Sequence, residues 1–292
     1  MKIFLISFIL LSVIFKTYCF HDGRPEGRGG EESVQVNDKI YFMGGTRLIR
    51  SLKEYNLSDE VFYLDLSSPF NIKDPPFVDL TNGTSRMLYG NEKGVKGIQP
   101  SRHRSTSTVI KPNGTIYIFG GRVELDMGSP TLQLYNDLYE FDTILLSWNQ
   151  ITAPNAPSPR SHSTATLLPN GKIIYIGGVS QDAAGSQTNL INVIGIQMFD
   201  TISLSWSTHI ASSSFLIQPR VGHTAALTSD NSSIIIMGGT SSYQLSQTTV
   251  YPNLIKLDVS SEPYQYSELI PSGINPPPPL SYHSAHIYIR II

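Results

Sequence analysis

Residues 160–178 read RSHSTATLLPNGKIIYIGG, and residues 220–239 read RVGHTAALTSDNSSIIIMGG. Each passage starts on an arginine with a histidine close behind. It continues through a short apolar stretch and a polar turn into a second apolar run, which ends on two adjacent glycines. Copies about sixty residues apart mark an internal repeat, and a repeat decides the fold before any single motif does.

The glycine pair occurs four times, as Gly44-Gly45, Gly120-Gly121, Gly177-Gly178 and Gly238-Gly239. Before the pairs stand KIYFM, TIYIF, KIIYI and SIIIM. Upstream of three pairs lie PSRHRSTSTV, PRSHSTATL and PRVGHTAAL, and a further copy, PLSYHSAHIYI, begins at Pro279 without the arginine. His103, His162, His223 and His283 therefore recur at intervals of about sixty residues. Beyond each glycine pair, after a segment of variable length, come VFYLDL, DLYEFD, GIQMFD and LIKLDV, closing near Asp65, Asp142, Asp200 and Asp258. Trp148 and Trp206 follow in two copies, and Phe77 is the candidate for the same place in the first.

Each unit reads as four short strands rich in Val, Ile, Tyr and Phe and bounded by turn residues. The Asn-Gly pairs at 113–114 and 170–171 supply hairpin chemistry. Outside the first twenty residues no helical periodicity is sustained, so the chain is expected to be all-β. A four-stranded unit cannot cover both its faces alone, and stacking such sheets radially gives a β-propeller. The glycines fit crowded strands that have no room for a side chain. The tryptophans are apolar plates suited to the gap between blades.

Arginine and histidine, apolar strand, Gly-Gly, aspartate-ended strand and tryptophan together resemble the kelch repeat, from about residue 34 to the C-terminus. The resemblance implies a kelch-type propeller with blades near 33–80, 103–151, 162–209 and 223–270, and the first strand of a fifth at 283–292. Kelch rings usually close more blades than this, so a truncated product is expected, with an unusually small closed ring or an open arc as the alternatives. Its open edges, SAHIYIRII above all, would recruit other chains and favour oligomerisation.

The first residues, MKIFLISFILLSVIFKTYCF, combine Lys2 with an apolar run of signal-peptide length. A signal peptide over 1–20 is expected, with a flexible segment over 21–32; an uncleaved signal anchor is the rival. Cys19 is the only cysteine and leaves with the signal, so a real core and not disulfides must hold the secreted chain. Behind a signal, the sequons at Asn56, Asn82, Asn113 and Asn231 become glycosylation candidates, each expected in a loop or turn. Charged residues make up 15% of the chain and the net charge is −2, which excludes the basic face a nucleic-acid partner needs. Membrane contact is expected only through an anchor, either that signal or one outside this chain.

No cofactor or metal is expected. Repeat histidines lie on different blades, whereas metal ligands converge on one ion. The resemblance also raises the copper-radical oxidases of the galactose oxidase type, which share a kelch-like propeller, but their tyrosine–cysteine link has no cysteine here. No Gly-x-Ser-x-Gly elbow or phosphate-binding loop occurs, and a non-enzymatic role is expected. What remains is surface: segments 46–58, 122–134, 179–193 and 240–253 vary most, as binding loops on a rigid scaffold do. In or beside them stand Arg47, Arg50, Tyr55, Arg122, Tyr135, Tyr243 and Tyr251, residue types suited to anchoring a protein or glycan ligand. The luminal part of a membrane-anchored protein is a further alternative.

Overall fold

The computed structural model describes residues 6–9, 28–29, 32–36, 38–43, 46–49, 54–57, 61–71, 74–79, 96–97, 105–124, 132–142, 144–145, 147–242, 248–271, 279–283 and 286–289. Every regular element among them is a β-strand. The chain divides into two compact units, one of residues 13–152 and the other of residues 153–292 with residues 1–12.

Among the described residues each unit shows two four-stranded antiparallel meanders. In the unit of residues 13–152 the first sheet runs Glu32–Val36, Lys39–Met43, Val61–Asp65, Phe77–Asp79. The second runs Ser107–Ile110, Thr115–Phe119, Leu138–Asp142, Ser147–Ile151. In the other unit the third sheet runs Thr164–Leu167, Lys172–Ile176, Gly195–Asp200, Ser205–Ile210. The fourth runs Val221–Leu227, Ser233–Thr240, Leu254–Asp258, Gln265–Glu268. The register is the same throughout: Leu64↔Phe77, Phe141↔Trp148, Phe199↔Trp206 and Leu257↔Tyr266 are facing pairs. Phe77 thus occupies the tryptophan position of the first sheet, and Tyr266 fills it in the fourth.

Alternation along these strands builds the core of residues 153–292. One face of the third sheet presents Ile174, Ile176, Ile196 and Met198 to Ile234, Ile236, Ile255, Leu257 and Tyr266 of the fourth, all nearly or wholly buried. Burying an Ile or Leu side chain contributes about 1.5–3 kcal/mol, so this face is a main source of cohesion. The Tyr266 hydroxyl donates to the Val193 carbonyl at 2.8 Å, which satisfies its one polar atom inside that core. Trp206 packs against Tyr175 and Phe199 at ring-centroid distances of 5.2 and 5.1 Å. Trp148 lies 4.6 Å from Phe141 in the second sheet, and Phe42, Phe62 and Phe77 cluster in the first.

Two features were not foreseen. The connections entering three of the sheets each run along that sheet's own fourth strand. Lys96–Gly97 pairs in parallel with Ser147 and Trp148, Ser212–Ser213 with Gln265 and Tyr266, and the Trp206 N–H donates to the Pro154 carbonyl. Secondly, His286–Ile289 was expected to be an edge strand without partners. Instead it pairs antiparallel with Ile6–Ile9, so its backbone groups are met from the N-terminal apolar run.

Candidate functional site

The corner where each sheet begins, and the hairpin that follows its glycine pair, carry most of the residues singled out above. Register defines the corner. Ser107, Thr164 and Thr224 face Phe119, Ile176 and Met237, the residues just ahead of the glycines. Two positions earlier the backbone takes a positive φ in every described copy: Ser105 at 54°, His162 at 58°, Gly222 at 62° and Tyr282 at 55°. His162 therefore matches Gly222 and Tyr282, not His223 and His283. The spacing in PRSH is one residue shorter than in PRVGH, and the residue matching His223 is Ser163. His103 lies outside the described residues.

His223 and His283 reach back to the preceding copy. The Nε2 of His223 lies 3.2 Å from the Thr164 hydroxyl, and that of His283 lies 3.3 Å from the Thr224 hydroxyl. Their rings occupy the space over the first glycine of the preceding pair: a Cβ on Gly177 would sit 2.6 Å from the His223 ring, and one on Gly238 2.8 Å from that of His283. Both glycines also have positive φ. The second glycine adds a backbone bond, Gly178 N–H to the Arg220 carbonyl at 2.9 Å and Gly239 N–H to that of Leu280 at 2.7 Å. Glycine pair and histidine are thus two halves of one joint between successive copies. Burial drives the His223 pKa down to about 3 and that of His283 to about 4, so both rings are neutral near pH 7. Gly44 and Gly45 lie outside the described residues, while the Gly120 and Gly121 backbones bond Asp137 and Tyr135.

At the same corner Arg220 is wholly buried. It donates from Nε to the Gln218 carbonyl at 3.3 Å, from Nη1 to Gly238 at 3.3 Å and from Nη2 to Pro252 at 2.8 Å. Among the described residues it thereby satisfies a cation with carbonyls, without any carboxylate. On the accessible side, His162 and Tyr282 meet edge to face at 5.7 Å, and a Cβ on Gly222 would sit 3.0 Å from the Tyr282 ring.

The segments beyond the glycines are ribbons and not plain loops. Thr46–Ile49 pairs with Glu54–Leu57, Arg122–Glu124 with Leu132–Leu134, and Val179–Gln181 with Thr188–Leu190. Arg160–Ser161 adds a third strand to the last of these. Arg47 and Tyr55 lie in the first ribbon, opposite Asn56 and Leu48. Asn56 is accordingly in a strand, a correction to the turn expected of it; Asn113 and Asn231 are exposed turn residues, as read. Arg122 and Tyr135 are half-buried in and beside the second ribbon. Arg50, Tyr243 and Asn82 lie outside the described residues. Tyr251 is 63% exposed, and its backbone is fixed by two bonds with Gln218: its N–H to Oε1 at 2.7 Å, and its carbonyl to the Gln218 N–H at 3.1 Å. The tip of the third ribbon, 182–187, is exposed yet bonded within itself. The Gln181 amide donates to the Ser186 carbonyl at 2.7 Å, and the Ser186 hydroxyl to that of Ala183 at 2.7 Å.

The aspartates at the strand ends make turns. Asp142 Oδ1 accepts the N–H groups of Ile144 and Leu145, and Asp200 Oδ1 those of Ile202 and Ser203.

Residues 84–290 match the model of the KLHDC2/KLHL20/DRC7 Kelch-repeats domain. The chain belongs to the kelch-repeat family. Its fold is the kelch-type propeller, in keeping with the solved structure of YjhT, at a TM-score of 0.57 and 16% identity over 88% of this chain and 68% of that one. Among curated relatives, "Kelch domain-containing protein 1" of Homo sapiens is 28% identical over 173 residues, 58% of this chain and 38% of that protein. "N-acetylneuraminate epimerase" of Pasteurella multocida is 28% identical over 161 residues, 54% and 33% of the two chains. "Ras guanine nucleotide exchange factor F" of Dictyostelium discoideum is 31% identical over 125 residues, 43% and 10%. The kelch match thus spans well under two thirds of the length of these curated relatives.

Proposed function

We propose that this kelch protein is a binding module, secreted and non-enzymatic, that holds a protein or glycan ligand on the ribbons beyond its glycine pairs. The observation that carries the reading is the third ribbon, whose exposed tip at 182–187 stands on a three-stranded base and is braced by its own hydrogen bonds. A surface ordered before it binds loses less entropy on capture. Tyr251, exposed and pinned through Gln218, is an aromatic anchor of the same kind. The test is a glycan array and a displayed-peptide library probed with the chain made in a secretory host. Ligands enriched by the native chain should weaken at least tenfold when 182–187 is replaced by a glycine-serine linker and Tyr251 by alanine. Enrichment unchanged by both replacements would remove the ribbons from the function.

The similarity to an N-acetylneuraminate epimerase favours a second reading, a catalytic propeller acting on a sugar acid. Anomeric or epimeric exchange of N-acetylneuraminate followed by proton NMR, with and without the protein, separates the two.

A further inference from the structure

Strand Ser205–Ile210 is the fourth strand of the third sheet, and alternation along it sends Ser207 and His209 to the same face. The residues paired with them, Met198 and Ile196, belong to the apolar core shared with the fourth sheet. Ser207 and His209 therefore stand at the outer rim of the seam between these two sheets. The His209 ring lies there against Tyr264, just ahead of the last strand of the fourth sheet, with centroids 6.1 Å apart and planes 23° from parallel.

Three polar groups line up along this rim. The Ser207 hydroxyl lies 3.0 Å from Nε2 of His209, and the other ring nitrogen, Nδ1, lies 3.4 Å from Oε2 of Glu262. With the Nδ1 proton toward the carboxylate, Nε2 is left to accept from the hydroxyl. Nucleophile, base and orienting acid are recognised by such geometry and not by their place in a sequence. By contrast, the hydroxyls of Ser203 and Ser205 bond each other at 2.8 Å, and that of Thr208 donates to Gln197 Oε1. Ser161 lies 2.9 Å from Nδ1 of His162 but is only 1% exposed, whereas Ser207 is open to solvent. A donor for a developing oxyanion stands beside Ser207 as well. The Trp206 N–H leaves the outer edge of the strand for the Pro154 carbonyl. The Thr208 N–H, two residues on, points to the same edge and has no acceptor among the described residues.

We infer that Ser207 is an acyl acceptor, which takes the acyl group of a small activated ester. Its Oγ attacks the acyl carbon while the hydroxyl proton passes to His209 Nε2, and Glu262 stabilises the imidazolium that results. The bond from acyl carbon to leaving oxygen then breaks, and the same proton goes from Nε2 to the leaving alkoxide. Ester and serine hydroxyl give seryl ester and alcohol, with no other reactant. The seam beneath is filled by the core, so the group taken is small, an acetyl and not a long acyl chain. One acyl group per chain is a modification and not a turnover. Ligand capture at the 182–187 tip is separate, and either can fail without the other.

The probe is p-nitrophenyl acetate, with quenched samples of the full chain mapped by peptide mass spectrometry. Ser207 should be acetylated at least tenfold faster than Ser203 or Ser205, and Ser207→Ala should lose the fast phase. His209→Gln should slow the Ser207 reaction about a hundredfold, and added imidazole should restore part of the rate to His209→Ala. Glu262→Gln, at a half-exposed site, should slow it several-fold without moving the Tm. The glycine-serine replacement of 182–187 should leave it intact. Acetylation spread evenly over the serines, or a Ser207 rate unchanged in His209→Gln, would overturn the site. If the His209 variants do not fold, Glu262→Gln decides, and an unaltered rate there overturns it.

Discussion

In the fourth sheet the arginine of the entry corner bonds three carbonyls, while in the third, among the described residues, Arg160 bonds that of Ser158 alone. Arg220 spends its donors on three carbonyls, and His223 turns away from its own sheet to meet Thr164 and Gly177 of the preceding one. In the third sheet a serine replaces that histidine and bonds inward to the Gly177 carbonyl instead. One substitution at the matched position therefore goes with a change of donor at the carbonyl of the first glycine, the Ser163 hydroxyl at Gly177 and Arg220 at Gly238. The comparison teaches that the repeated letters do not each carry a fixed role. A role comes from which neighbour has already taken the available carbonyl.

The largest expected effect tests the joint between copies. Gly177→Ala places a Cβ 2.6 Å from the His223 ring and 2.9 Å from the Arg220 carbonyl, at a φ of +62° that alanine resists. A loss of about 3 kcal/mol or more in urea unfolding is expected from clash and strain together. Gly195→Ala is the control, since its Cβ would meet nothing nearer than 3.6 Å, and it should cost less than about 1 kcal/mol. Equal losses for the two would mean that the glycine pair is not half of a joint.

A smaller effect should appear as a dependence on pH. Burial, aided by the Arg220 charge and then by His283, holds the folded His223 pKa near 3, below its ordinary 6.5. Between those values the unfolded chain binds a proton that the folded chain refuses. Stability is therefore fully present above pH 6.5 and declines as pH falls toward 3. From pH 7 to 4.5 the loss from this group is about 2 kcal/mol. His223→Gln, which can still bond the Thr164 hydroxyl, should flatten that part of the profile in denaturant melts taken across pH. Parallel profiles for the two chains would show that His223 does not titrate against the joint.

Much of the scaffold was legible because its causes are local. Strands such as KIIYI and SIIIM alternate faces, and glycine pairs interrupt them where a side chain cannot go. Phe77 was found from the spacing that places Trp148 and Trp206. Tyr266 was missed because a tyrosine at that place can face a core only if its hydroxyl finds an acceptor, here Val193, 73 residues away. His162 was matched to the wrong partner because the histidine itself was followed, although it stands two residues after Arg160 and His223 three after Arg220; strand register sets Ser163 against His223. The ribbons beyond the glycines were read as loops, since segments such as SQDAAGSQTNL show no apolar alternation; pairing there is backbone to backbone. The difference between Arg160 and Arg220 has one local sign, Ser163 in place of His223, but its consequence was not legible because it depends on carbonyls 17 to 34 residues further along the chain.

The smallest effect lies at the opposite end of the same two sheets, where Asp200 and Asp258 close the third strands. Asp200 Oδ1 accepts two backbone N–H groups, from Ile202 at 2.8 Å and Ser203 at 3.1 Å. Asp258 Oδ1 accepts the Ser260 N–H at 2.9 Å together with the Ser260 hydroxyl. In both, these bonds hold the carboxyl below its ordinary range, the two backbone donors acting on Asp200 and the Ser260 side chain first on Asp258. The stabilisation is present above the ordinary carboxylate value and is lost as pH falls through the lowered one. Both side chains stand in water, so screening reduces the worth of the charge to a few tenths of a kcal/mol. Asp200→Asn keeps an acceptor oxygen and should shift the Tm hardly at all, whereas Asp200→Ala removes the acceptor from two N–H groups and should cost about 1 kcal/mol. Asp258→Ala should cost less, because one of its two donors is a hydroxyl that can turn to water while only one N–H loses its partner. Thermal melts of the four single variants, including Asp258→Asn, rank these costs. An Asn variant as damaging as its Ala counterpart would show that the charge itself holds the turn, and the two sheets would then differ at their corners but not at their ends.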